Sequence, residues 1–240
     1  MSDRETCANG GKVEYVELAR AESERGEIVL RERHDAEAPA NAPTALELRV
    51  NGVFVMDTLV TSSEKALAAA SLKQIENPRN VVVGGLGLGF TMHEVLADQR
   101  VEKLVVVEIE EALVQWMRDG TIPHGPSYFA DDRVTVITAD IRVAMAEATP
   151  AAYDLVLLDV DNGPGFLVYD DNRAVYQPEF LDQARDCLRP GGALVIWSSA
   201  ESPALQEQML ASFGNAVAIP LEVTLQSRDE QYWLYLSRAR

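Results

Sequence analysis

A doubly wound α/β fold, preceded by a small antiparallel β unit, is predicted by three features of this 240-residue chain. The first is a β-branched run, Val81-Val82-Val83, that breaks into the glycine turn Gly84-Gly85-Leu86-Gly87-Leu88-Gly89. The second is an acid, Glu108, that ends the apolar run Val105-Val106-Val107, 19 positions after Gly89. The third is a regular alternation of strand-like and helix-like segments from there onward. Strand, glycine turn, helix, strand and terminal acid make the ligand-binding half of such a sheet. The glycines let a nucleoside approach the backbone, and the acid can hold both ribose hydroxyls.

The N-terminal unit alternates and is rich in β-formers. Val13-Glu14-Tyr15-Val16-Glu17-Leu18 and Glu27-Ile28-Val29-Leu30-Arg31 read as strands, with Gly26 near the turn between them. Residues 35–43 form a polar loop. Leu46-Glu47-Leu48-Arg49-Val50 and Val53-Phe54-Val55-Met56 flank Asn51-Gly52, a strong hairpin turn. About four antiparallel strands are expected, and residues 1–60 are assigned to this unit.

Residues 61–240 are assigned to the nucleoside-binding catalytic domain. Ser62 to Ile75 reads as a helix with Leu67, Ala70, Leu72 and Ile75 as core positions, stopped by Asn77-Pro78. Strands are expected at 80–84, 104–108, 134–138, 153–159 and 193–197. Helices are expected at 91–98, 110–118, 141–148, 178–189 and 203–213. Thr91 and Glu94 have the spacing of a capping box. Pro178 and Pro203 suit first helical positions, and Gly191-Gly192 and Gly214 suit positions beyond helix ends. The last two segments, 216–223 and 231–236, are strands with no helix between them and Arg228-Asp229-Glu230 in the turn. A terminal antiparallel hairpin on a parallel sheet marks a Rossmann-like, methyltransferase-type sheet rather than a dinucleotide dehydrogenase.

The glycine spacing narrows the ligand. The dinucleotide pattern G-x-G-x-x-G would place its third glycine at Phe90. The turn instead reads Gly85-x-Gly87-x-Gly89, which suits a ligand without a pyrophosphate. S-adenosylmethionine and its decarboxylated form fit that description.

Composition excludes several classes. No segment approaches the roughly 18 consecutive apolar residues of a membrane span. The N-terminus Met1-Ser2-Asp3-Arg4-Glu5 lacks the apolar stretch of a secretory signal. Cys7 and Cys187 stand far apart without a paired motif, so neither a metal site nor a disulfide framework is expected, and a cytoplasmic location is. The formal net charge of −17 argues against binding nucleic acid. It is read either as an acidic, solvated surface or as a field that attracts cationic substrates. His34, His93 and His124 are isolated from any Ser or Cys partner and are read as structural or surface residues.

The order of motifs identifies a family. Gly84 to Gly89 is followed by Val107-Glu108-Ile109-Glu110, Asp131-Asp132-Arg133-Val134, Ala139-Asp140, Tyr153-Asp154-Leu155-Val156-Leu157-Leu158-Asp159 and Leu188-Arg189-Pro190-Gly191-Gly192. The whole chain resembles the spermidine synthase family of polyamine aminopropyltransferases, most closely over residues 78–200. The resemblance implies that Gly84, Gly85, Gly87 and Gly89 line the donor and that Glu108 binds its ribose. It implies that Asp140 accepts from the adenine amine, that Ile109 and Ile141 contact the base faces, and that Asp159 is the catalytic acid. Asp140 also has a simpler reading as the cap of the helix that follows. The donor would be decarboxylated S-adenosylmethionine or S-adenosylmethionine itself, with no metal. The partners would be a small cationic amine and, as an open alternative, a second copy of the chain in a homodimer.

The departures from the family pattern bear on the substrate. The loop G-G-G-D-G has Gly87 in its acidic position, so the carboxylate that pairs with the donor amine is missing. The pattern D-x-x-D-P becomes Asp159-Val160-Asp161-Asn162-Gly163, which leaves Asp161 as a neighbouring acid and second catalytic candidate. The Tyr-His-Glu motif has no match, since the chain reads Thr61-Ser62-Ser63-Glu64-Lys65-Ala66. The stretch from Asp161 to Gln177 is long for a strand-to-helix connection and could be a lid, with Tyr169, Asp170, Asp171 and Tyr176 available to cradle a polyamine. Trp197, followed by Ser198-Ser199, could border the acceptor pocket. Three functions therefore remain open: aminopropyl transfer, methyl transfer on the same scaffold, and nucleoside binding without catalysis.

Overall fold

The computed structural model describes residues 3–6, 12–35, 39, 44–160, 163–225 and 228–240. An antiparallel sheet comes first, with strands β1 Asp3–Thr6, β2 Lys12–Ser23, β3 Gly26–Asp35, β4 Ala45–Val50 and β5 Val53–Asp57 paired in chain order. It has five strands where four were expected, because Asp3–Thr6 adds to the edge of β2. Helix α1, Ser62–Leu72, leads from this sheet into the larger one and ends one turn earlier than the apolar spacing suggested.

The second sheet has seven strands. Strands β6 Asn80–Gly84, β7 Lys103–Glu108, β8 Val134–Thr138, β9 Tyr153–Leu158 and β10 Leu188–Ser198 run parallel. Strands β11 Val217–Leu225 and β12 Arg228–Arg238 close one side as an antiparallel hairpin, giving the order β11-β12-β10-β9-β6-β7-β8. Arg228 and Asp229, expected in the turn, pair with Leu225 and Thr224 instead. The strands simply continue closer to the turn than their apolar residues indicate. Helices α2 Phe90–Ala97, α3 Glu111–Asp119, α4 Gly125–Phe129, α5 Ile141–Glu147, α6 Pro178–Cys187 and α7 Pro203–Phe213 complete the fold. No described helix is long and apolar enough to cross a membrane.

Two local expectations are corrected. Thr91 does not cap α2; Gly89 does, in a left-handed conformation, which leaves the Thr91 hydroxyl free to face the sheet. Helix α6 stops at Cys187 rather than at 189, and Gly191-Gly192 lie inside β10, where the pairing with β9 is irregular between Leu188 and Ala193.

Alternation along the strands divides the core in two. Val81, Val83, Leu104, Val106, Leu155 and Leu157 point to one face, where they meet α1, α2, α3 and the apolar residues Ile28, Leu30 and Leu48 of the N-terminal sheet. Val82, Val156, Leu158, Leu194 and Ile196 point to the other face, under α5, α6 and α7. Burial on both faces explains the near-continuous apolar runs in these parallel strands. The N-terminal sheet therefore shares its core with the face it covers.

The chain moves outward from β6 through β7 to β8, then returns to β9. The strand order reverses between β6 and β9, and a crevice opens at their carboxyl ends, where such sheets bind ligands.

Candidate active site

A cavity of about 520 Å³ lies over this reversal, between the carboxyl ends of the strands and the N-terminal sheet. Its floor is the glycine turn. The Asp159 amide donates to the Gly84 carbonyl at 2.8 Å and the Gly85 amide to the Val107 carbonyl at 2.9 Å, which splices the turn onto its neighbours. Gly85 has φ +94°, and a Cβ there would stand 2.1 Å from the Asp159 carbonyl oxygen, so no other residue fits. Gly85 and Gly87 line the cavity. Gly84 ends β6 and Gly89 caps α2; neither lines it.

The end where the sequence places a nucleoside is built from residues at or just beyond strand termini. Glu108 ends β7 and is 7% exposed. One of its oxygens accepts from the Leu86 amide at 2.8 Å, the other from the Glu110 amide at 2.8 Å. Two backbone donors thus aim the carboxylate, and each oxygen keeps a lone pair for a ligand hydroxyl. Burial raises its carboxyl above the ordinary range, against the lowering effect of those donors. Ile109, Asp140 and Ile141 also line this end. Asp140 does cap α5, accepting from the Arg142 amide at 2.8 Å. Burial works against its charge, but the Arg142 side chain and amide prevail and lower its carboxyl overall.

Glu110 joins three segments at the same end. The Arg25 Nε, from the β2–β3 turn, donates to Glu110 Oε1 at 2.7 Å, and the Tyr169 hydroxyl donates to that oxygen at 3.1 Å. Of the residues expected to cradle a ligand after β9, Tyr169 lines the cavity. Asp170 and Asp171 face solvent and Tyr176 is buried away from it, because a 3₁₀ turn over Asp170–Tyr176 directs them outward and into the core.

The opposite end centres on Asp159, immediately after β9. Its Oδ2 accepts from the Thr91 hydroxyl at 2.7 Å, and burial raises its carboxyl. Asp161, the second candidate, lies outside the described residues. Glu64, Glu230, Trp197, Ser199 and Tyr232 share this end, with Trp197 and Tyr232 in edge contact at 5.1 Å. Asp57 is there as well, but its Oδ1 is taken by the Leu59 and Val60 amides at 2.9 and 2.8 Å, so it holds the chain entering α1.

Among the described residues, the lining contains acids at both ends and no Lys, Arg or His. Glu110 is paired with Arg25 and Asp140 with Arg142, whereas no ion pair among the described residues reaches Glu64, Glu108 or Asp159, and a low-dielectric cavity with such carboxylates favours a cationic ligand. Met56 fills the space beside Gly87. Its Sδ accepts from the Leu88 amide at 3.2 Å and would lie 2.6 Å from a Cβ at position 87. Sequence reasoning missed Met56, Glu64 and Glu110. Only Glu64 carried a signal, as the one acid on a helix that, Lys65 apart, is otherwise small-residue and apolar.

The histidines have structural partners. His124 Nε2 is 2.7 Å from the Leu88 carbonyl, His93 stacks on Tyr128 at 4.4 Å, and His34 pairs with Glu32.

Comparison with known proteins agrees with this geometry. Residues 61–219 match the spermine/spermidine synthase domain. Polyamine aminopropyltransferase 2 of Pseudomonas aeruginosa is 30% identical over 155 residues, covering 60% of this chain and 42% of that protein. Putrescine N-methyltransferase 3 of Nicotiana tabacum is 32% identical over 133 residues, covering 55% of this chain and 32% of that protein. The chain thus spans less than half the length of either relative. A spermidine synthase crystallised with the transition-state analogue AdoDATO superposes with a TM-score of 0.76 at 16% identity, over 100% of this chain and 80% of that one. The chain belongs to the spermine/spermidine synthase family.

Proposed function

We propose, with membership of that family as the premise, that the protein transfers an aminopropyl group from decarboxylated S-adenosylmethionine to an amine. The observation that carries this reading is that the charged side chains lining the cavity are all acids, with a nucleoside-type strand end, Glu108, at one side and the half-buried carboxylate of Asp159 at the other. Glu108 would take the ribose hydroxyls and Asp140 the adenine amine, with Ile109 and Ile141 against the base.

The chemistry asks little beyond placement. The acceptor nitrogen attacks the carbon bonded to the sulfonium, the carbon–sulfur bond breaks, and its electron pair leaves on sulfur as a neutral thioether. No general acid is needed. The acceptor must shed a proton, because an alkylammonium, like lysine, has a pKa near 10. Asp159 is the base in this reading, and Asp161 is the second candidate on sequence grounds. Burial supports the assignment, since a raised carboxyl is a better proton acceptor than an exposed one. Alignment of nitrogen and carbon contributes the larger share of the rate.

Methyl transfer is the competing reading, favoured by one observation: Met56 stands against Gly87 where the family pattern carries an acid for the donor amine. A screen of diamines and polyamines with both donors, read by product mass, decides between them. Aminopropylated product with the decarboxylated donor supports the proposal. Methylated product with S-adenosylmethionine reverses it, and consumption of neither donor leaves a nucleoside-binding protein.

A further inference from the structure

A cation from the N-terminal sheet reaches the nucleoside end and has no part in the roles given above. Arg25 stands in the tight turn between β2 and β3. The Asn51 side chain braces that turn. Its nitrogen donates to the Arg25 carbonyl at 3.3 Å, and its oxygen accepts from the Glu27 amide at 2.9 Å. Only glycine fits at position 26, where a Cβ would stand 1.9 Å from the Asn51 oxygen. From this braced turn the guanidinium crosses to the end of β7. Its Nη2 donates to the Ile109 carbonyl at 2.9 Å and its Nε to Glu110 Oε1 at 2.7 Å. The Glu110 side chain is 8% exposed, so the ion pair compensates a charge that water hardly reaches. The Glu110 amide is in turn one of the two donors that aim Glu108.

We infer that Arg25 is a positioning residue for the ribose site: by holding the Ile109 carbonyl and balancing the Glu110 charge, it keeps Glu108 free to accept from both ribose hydroxyls. Arg25 does not line the large cavity. It lines a smaller hollow on the far side of Glu110, between the end of β2 and the start of α3, and acts on the ligand through Glu110. This role rests on the reading of Glu108 as the ribose acceptor.

Electrostatics gives the role a signature. Glu108 and Glu110 are both buried, and Arg25 makes the only ion pair to either among the described residues. The other groups around them are Glu22 on β2, Glu111 at the start of α3, Asp140 with Arg142 at the start of α5, and Tyr169, whose hydroxyl donates to Glu110. Arg142 is engaged by Asp140, so no second cation replaces Arg25. Burial raises the Glu108 carboxyl, and the Glu110 charge adds to that. Without Arg25 the Glu110 charge acts unbalanced, and Glu108 takes up a proton more readily. A protonated carboxyl has one oxygen turned donor and no longer accepts from both hydroxyls. Nucleoside affinity is then lost as pH falls.

Calorimetry with methylthioadenosine, which carries the nucleoside and no group to transfer, is the test. Arg25→Met keeps the apolar stem of a side chain that is 35% exposed, in a turn whose backbone Asn51 holds, so the fold should survive. It should weaken binding by about 10-fold at neutral pH, and by more as pH falls. Arg25→Lys keeps the charge and should recover most of that loss. In a Glu110→Gln background no charge is left to balance. There Arg25→Met should cost about twofold, the Ile109 contact alone, with no added pH dependence. Wild-type affinity in Arg25→Met, or the same loss in both backgrounds, overturns the inference and leaves the ribose assignment standing. No binding of methylthioadenosine by the wild type overturns the ribose assignment and the inference with it.

Discussion

The two ends of the cavity are built in different ways, and the difference separates what is rigid from what is selective. At the nucleoside end, Gly85, Glu108 and Asp140 sit on or directly after strand termini, and each is held by neighbouring backbone within its own βα unit or the adjacent strand. At the amine end, Glu64, Asp159, Trp197 and Tyr232 come from α1, β9, β10 and β12, and only the assembled sheet brings them together. In the proposed function the first end would serve any adenosine sulfonium, and the second would decide which amine, and which transferred group, the protein accepts.

The largest break in that comparison is expected from Asp159→Asn. Turnover should fall by about 10²–10⁴-fold, the usual contribution of a positioned base. Donor affinity should hardly change, since the nucleoside determinants lie at the other end. Single-turnover rates with an active acceptor, together with a donor titration, check this. Normal turnover in Asp159→Asn combined with a dead Asp161→Asn would move the base to Asp161.

Glu108→Ala attacks the other end. Two hydrogen bonds to the ribose should be lost, weakening donor binding by about 2–4 kcal/mol. The Leu86 and Glu110 amides lose their acceptor as well, so Glu108→Gln, which keeps one carbonyl oxygen, should lie in between. Unchanged affinity for methylthioadenosine in a folded Glu108→Ala would falsify the ribose assignment.

Gly87→Asp tests whether the boundary between the ends sets donor choice. At φ +50° the backbone is in a region that aspartate enters, and the obstacle is the flexible end of Met56. Preference should shift by roughly tenfold towards the decarboxylated donor, as expected for one new charge-assisted contact. Competition between the two donors reads the shift. A wild type that already ignores S-adenosylmethionine removes Gly87 as the selector.

The smallest effect concerns stability. The folded Glu64 carboxyl is raised from 4.5 to about 7, so the folded chain holds a proton that the unfolded chain releases. Its contribution is present below pH 4.5 and is lost as pH rises through about 7. Glu64→Gln should therefore flatten the melting temperature over this window and gain on the wild type above it. Parallel melting curves from pH 4 to 8 would contradict a Glu64 carboxyl raised by burial and the Asp159 charge.

How much of the site was legible follows from the range of the interactions that make it. The apolar runs of β6, β7 and β9 reflect burial on both faces, and the residue that ends each run must emerge at the carboxyl edge of the sheet. The places of Gly85, Glu108 and Asp159 at the cavity follow from that rule, whereas Asp140, two residues beyond the more exposed β8, was singled out by the resemblance in motif order. The Thr91 cap failed for the opposite reason. A left-handed Gly89 performs that task, and the freed hydroxyl turns to Asp159 across the sheet. Arg25 on Glu110, Met56 against Gly87 and Glu64 beside Asp159 join residues from the N-terminal sheet and α1 to strand ends far along the chain. No local periodicity encodes such pairs. They exist because the two sheets share one apolar core, and burying that core brings their polar edges over the same cavity.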